Sequence, residues 1–252
     1  MTRTPINRFQ ASAIHVALSA TVATVVFLVI YLLWYPGVLF DAGGGKELSL
    51  LILAVDVTIG PLVTLIIFVP GKKGLLFDLW VIGLLQAAFL TYGVWAVAES
   101  RPVYIAFVKD RFELARASQI PDSVLEDARM SRSELPWTGP KIVGVRFPAD
   151  PDRKFNLMIS GMGGVDIQSY PQYHVPYDSV RKEVVEHSVA LANLAAFNKG
   201  LSTADLARGL GRDQAHVRYL PLRAGKVDLT VLIDARTAEI LRIEALKPWE
   251  YE

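Results

Sequence analysis

Charge is nearly missing from the first 100 residues, which hold only Arg3, Arg8, Asp41, Lys46, Glu47, Asp56, Lys72, Lys73, Asp78 and Glu99. Three apolar runs, 13–35, 48–69 and 75–98, lie between these charges. A helix needs about 20 apolar residues to cross the hydrocarbon core of a bilayer. Each run is long enough, so the pattern predicts three transmembrane helices. From residue 101 the charges return, and the chain reads as a globular domain of ordinary size. The expected organisation is a three-span part over 1–100 and a soluble part over 101–252.

The overall composition fits this division. Hydrophobic residues make up 52% of the chain, high for a soluble protein. The net charge of +1 gives no basic surface for nucleic acid. There is no cysteine, which excludes disulfides, thiol catalysis and thiolate metal sites. A signal peptide is the competing reading of 13–35, but the run is long and "WYPGVLF" follows it instead of a small-residue cleavage site. It reads as a retained anchor. Trp34, Tyr35, Tyr92 and Trp95 fall near the expected span ends, where amphipathic rings settle.

Short cytoplasmic loops carry an excess of Lys and Arg. Arg3 and Arg8 precede the first run, and Lys72 and Lys73 sit in "PGKKG" between the second and third. The loop over 36–47 has Lys46 against Asp41 and Glu47. The expected topology has the N-terminus and the "PGKKG" turn inside, and the 36–47 loop and everything after Ala98 outside. Pro70, Gly71 and Gly74 break the helix around that turn. In a bacterium this describes a multi-pass inner-membrane protein with a periplasmic domain.

A carboxylate at membrane depth is costly unless paired or protonated, so Asp56 is a candidate functional residue. Two roles are open to it. It binds a partner, together with Thr58, Gly60 and Pro61, or it hydrogen-bonds Thr58, Gln86 or the backbone inside a three-helix bundle. Pro61 cannot donate to the carbonyl at position 57, which predicts a kink near Val57. Asp78 is read as structural, at headgroup level beside Lys72 and Lys73. An aspartyl-protease pair is excluded by depth: Asp56 and Asp78 differ by roughly 15 Å, whereas a proton-sharing dyad needs about 3 Å.

The soluble part reads as α+β, an antiparallel sheet packed by one long helix. Residues 103–117 form a hairpin about Lys109–Asp110, and 141–147 a strand. Ser123 and Glu126 make a capping-box pattern. The stretch 177–198 reads as the long helix, with Asp178 as N-cap, Gly200 as stop, and Val180, Val184, Leu191 and Leu194 on one face. Ser202 and Asp205 mark a second short helix. Val227, Leu229, Val231 and Ile233 alternate, turn at about 235–238, and continue with Leu241, Ile243 and Ala245, a hairpin with one buried face.

Signals for chemistry are sparse. His174, His187 and His216 lack ligand spacing. "SGMGG" at 160–164 has no Lys-Ser/Thr after it, and Ser160 is not in a G-x-S-x-G elbow. No metal site and no cofactor is expected. "YPQYHVPY" presents Tyr170, Tyr173 and Tyr177, either to a partner or as packing over the sheet.

Several segments carry a family likeness: "WYPGVLF", "VDVTIGPLVTLIIFVPGKKGLLFDL", "RPVYIAF" and "ARTAEILRIEALKPW". They resemble the type IV pilin accessory proteins of the TfpX/TfpZ kind, across nearly the whole chain. The resemblance implies a non-enzymatic, chaperone-like inner-membrane protein that stabilises a type IV pilin and modulates pilus assembly. The major pilin is then the expected partner, with other pilus-assembly proteins as further candidates and the lipid bilayer as solvent. The alternative is a membrane-bound enzyme that modifies pilin or envelope, for which Asp41, Lys46 and Glu47 are the polar group at the membrane surface. A ligand sensor is a third reading, opposed by an inner loop too short to signal.

Overall fold

A computed structural model describes residues 6–250. The chain forms two compact units: one holds the residues up to Leu33 together with Gly45–Glu99, the other Trp34–Gly44 together with the residues from Ser100 onward. Arg3 lies outside the described residues.

The first unit is helical. α1 spans Arg8–Val29 and ends in a π-helical turn over Ile30–Trp34. Asn7 caps its start: Gln10 N donates to Asn7 Oδ1 at 2.9 Å, and Asn7 N to Gln10 Oε1 at 3.0 Å. After α2 (Leu39–Ala42), which belongs to the second unit, come α3 (Gly45–Ile67) and α4 (Leu75–Ser100). The three long segments, Arg8–Trp34, Gly45–Ile67 and Leu75–Ser100, are each long and apolar enough to cross a membrane. α3 runs through Pro61, and the Ser12 hydroxyl of α1 donates to the Pro61 carbonyl at 3.0 Å. Between α3 and α4, Lys72 Nζ donates to Asp78 Oδ2 at 2.6 Å.

The second unit contains one mixed sheet. Its strands are β1 (Pro102–Val108), β2 (Arg111–Arg116), β3 (Lys141–Val145), β4 (His174–Pro176), β5 (Val189–Ala190), β6 (Val217–Arg223), β7 (Leu229–Asp234) and β8 (Ile240–Glu244). The order is β4-β3-β1-β2-β6-β7-β8, with β5 also on β6. The expectation of an antiparallel sheet is corrected: β1 pairs with β3, and β2 with β6, in parallel. The hairpin turn at Lys109–Asp110 is present, with Lys109 at φ 56°.

Four short helices pack around the sheet: α5 (Asp122–Asp127), α6 (Pro151–Met162), α7 (Arg181–His187) and α8 (Thr203–Gly209). Ser202 caps α8, accepting from Asp205 N at 3.2 Å. Ser123 does not cap α5, which starts one residue earlier behind Pro121. The single long helix over 177–198 is also corrected. It breaks at Ser188, where the chain turns extended into β5. Arg218 of β6 holds the break, donating to Ser188 Oγ at 2.7 Å and also to the Ser188 carbonyl. Asp178 therefore caps no long helix and instead pairs with Arg181 at 2.7 Å. The break sends Val180 and Val184 into one cluster and Leu191 and Leu194 into another.

Strand alternation divides the core. Ile105, Phe107, Phe112, Leu114, Leu220, Leu222, Val231 and Ile233 pack on one side. Tyr104, Ala106, Ala115, Val143 and Val145 pack on the other, under Leu157 of α6. Val227 falls outside the buried face expected for it, being 48% exposed. Leu241 leaves that face too: it packs with Leu232, while Ile243 packs beside Val231, across a register shift between Leu232 and Ile233.

Residues 34–44 form a strap built into this core. Leu39 and Ala42 join the Val231 cluster. Tyr35 is completely buried, and Trp34 nearly so beside Trp137. Both rings are thus buried at the end of the first long segment, while Tyr92 and Trp95 of α4 are exposed. Arg116 fastens the strap, donating to the carbonyls of Gly43 at 3.4 Å and Ala224 at 2.9 Å. A Cβ on Gly43 would lie 2.6 Å from the Leu39 oxygen and 3.2 Å from the Tyr35 ring, so only glycine fits there.

Candidate functional site

Polar side chains are rare in the first unit, and the structure gathers them. Asp56 of α3 lies beside Gln86 of α4, whose Nε2 donates to the Asp56 carbonyl at 3.2 Å and to Oδ1 at 3.4 Å. The Gln86 Oε1 meets His15 Nε2 of α1 at 2.5 Å. Because that oxygen only accepts, the imidazole proton is on Nε2. The other ring nitrogen, Nδ1, meets the Thr64 hydroxyl at 2.6 Å. One hydrogen-bonded chain thus joins all three long helices.

Of the partners expected for Asp56, Gln86 is the one found. Thr58 is exposed and makes no hydrogen bond among the described residues. Gly60 is buried because a Cβ there would overlap the Gln86 amide. Pro61 is buried and tied to Ser12. His15 was missed in the sequence, although a lone histidine inside an apolar run is the same signal that singled out Asp56.

Asp56 also faces a groove of about 440 Å³ between α3 and α4. Ile52, Val55 and Ile59 wall it on one side, Phe89, Leu90 and Gly93 on the other. The helices are also close at Gly93, where a Cβ would lie 2.9 Å from Ile52. Asp56 is the one acidic residue lining this groove, which Tyr92 lines as well. Only its Oδ1 is bonded by another side chain, which leaves Oδ2 to accept from an incoming donor.

In the second unit the three tyrosines separate. Tyr177 packs on the core and donates its hydroxyl to the Ala238 carbonyl at 2.7 Å. Burial pushes its phenol up to about 12. Tyr170 and Tyr173 instead line a polar cleft with α5 and α6. His174, which opens β4, is held neutral. Burial lowers its imidazole to about 4, and its Nε2 donates to the Gln168 carbonyl at 2.9 Å.

Arg8 is exposed near the Phe9 ring, and Lys73 is exposed in the turn beside the Lys72–Asp78 pair. Asp41 is on α2 of the second unit, whereas Lys46 and Glu47 open α3 in the first. Among the described residues, no group of three His, Asp or Glu side chains could hold a metal ion.

One unit of three apolar helices, each long enough to cross a membrane and joined by a polar chain, and a second unit built on a mixed sheet describe the class of protein. Comparison with known proteins places it more narrowly. The profile of the fimbrial assembly protein FimB family matches residues 4–37. A fimbrial assembly protein of serogroup I from Dichelobacter nodosus is 29% identical over 185 residues, 73% of this chain and 72% of that one. Another from the same organism, of serogroup E1, is 25% identical over 231 residues, 89% of this chain and 90% of that one. No solved structure matches. The likeness read from the sequence is borne out at this level: the chain is similar to fimbrial assembly proteins along most of its length, and to the FimB family profile over residues 4–37.

Proposed function

We propose that this protein is a non-enzymatic, chaperone-like accessory factor of type IV pilus assembly that holds a pilin in the inner membrane. The observation that carries the reading is the similarity to fimbrial assembly proteins over 89% of the chain. The groove between α3 and α4 supports a way of doing it. In lipid, helices associate by close packing and interhelical hydrogen bonds. Gly60 and Gly93 permit close approach, and Asp56 supplies a strong acceptor at membrane depth. The orientation that goes with this reading puts Arg8 and Lys72–Lys73 on the cytoplasmic side and the sheet domain, strap included, in the periplasm.

The test is in vivo photocrosslinking from single positions over 52–63 and, separately, 170–177, probed for the major pilin. The expected result is crosslinking at Ile52, Val55 and Ile59, reduced several-fold by Asp56→Leu and less by Asp56→Asn. Normal expression of both proteins with no crosslink at any of these positions would overturn direct handling of the pilin by these surfaces.

A further inference from the structure

The cleft beside Tyr170 and Tyr173 has a chemistry of its own, separate from the contact with a pilin tested above. α5, α6 and the turn over 170–173 enclose about 520 Å³, a volume within the range of small-molecule sites. Ser123 and Asp127 stand one helical turn apart on α5, so both face it. Arg153, Asn156 and Ser160 recur at spacings of three and four on α6 and face it from the other side. None of these five side chains, nor Gln172, has a hydrogen bond or ion pair among the described residues. A surface where so many donors and acceptors converge without using one another is arranged to meet a polar ligand.

We propose that the cleft binds a neutral saccharide. Arg153 and Asp127 bring opposite charges that cancel, so the cleft has no excess of positive charge for a phosphate or another anion. Its walls are helices and a turn, without the free strand edge that an extended peptide would pair with. Sugar hydroxyls both donate and accept, and they match a mixture of Arg and amide donors with carboxylate, amide and hydroxyl acceptors. The two tyrosine rings are half-buried, 6.1 Å apart and inclined at 41°. They supply the apolar surface on which the C–H face of a sugar ring lies. This inference stands whether or not the chain handles a pilin.

The experiment uses the full chain in lipid nanodiscs. Purified peptidoglycan sacculi are tested by co-sedimentation, and chitotetraose and maltotetraose by calorimetry. At least one of these probes binds, and the paired exposed-site variant Asn156→Ala/Gln172→Ala weakens that binding about tenfold, equivalent to ~1.4 kcal/mol, with unchanged thermal stability. Co-sedimentation competed by chitotetraose assigns the ligand to the cell wall. Binding of a soluble glycan without sacculi assigns it to another envelope or protein-linked glycan, and either result supports the proposal. Failure of all three probes at millimolar concentration, or binding that the paired variant leaves intact, overturns it.

Discussion

His174 shows how burial sets the behaviour of a single residue. Its ring lies edge-on to Tyr104, with centroids 4.5 Å apart, and Nε2 donates to the Gln168 carbonyl. Desolvation is the largest cause of its lowered affinity for a proton, and the nearby Lys141 charge adds to it. In the unfolded chain the same imidazole titrates near 6.5. The unfolded state therefore binds more protons between pH 6.5 and about 4. Stability is complete above pH 6.5 and falls as pH drops through that window, by roughly 2–3 kcal/mol. The variant His174→Gln should flatten this dependence, so that melting temperatures at pH 7 and pH 4.5 move closer together than in the wild type. A wild-type difference retained by the variant would show that other groups carry it. The sequence marked His174 only as lacking ligand spacing, neither as the first residue of β4 nor as the buried histidine. That depends on Tyr104, a residue 70 positions earlier.

At the scale of elements, what was legible follows from how local the cause is. The three long helices are declared by length and apolarity, and the short hairpin of β1 and β2 by alternation about Lys109–Asp110. The break at Ser188 was not legible, because the 177–198 stretch has a valid helical period and the break is held by Arg218, 30 residues downstream. The strap was hidden for a similar reason. Trp34 and Tyr35 have the composition of a membrane boundary, which does not show that they are buried. In the candidate site, Asp56 and its bond to Gln86 could be read from polarity at depth, whereas the link through His15 needed the register of α1 on α3. The strap makes a sharp prediction. Leu39 is 3% exposed, so Leu39→Ala should cost ~2–4 kcal/mol. Thermal unfolding of the sheet domain, followed in detergent, measures it. The control is Val227→Ala, at a position 48% exposed, with a change below about 0.5 kcal/mol. Equal effects from the two variants would mean that the strap is not part of the cooperative core.

For the whole molecule, the orientation is the statement most open to direct measurement. The chain has no cysteine, so a single introduced thiol reports unambiguously. With a membrane-impermeant maleimide on intact spheroplasts, Gly200→Cys should label at once, and Lys73→Cys only after permeabilisation. The reverse pattern would invert the topology and move the sheet domain to the cytoplasm.

The strap also imposes a schedule on synthesis. Residues 34–44 leave the ribosome first, yet the strands they pack on end with β8 at Glu244. At bacterial elongation speeds of about 5–20 residues per second, Leu39 waits roughly 10–40 s for its neighbours. During that interval α3 and α4 are made in full. The sheet domain therefore closes its core only on a chain that has already produced both later helices. A separately expressed 101–252 fragment would lack a piece of its own interior however long it was given to fold.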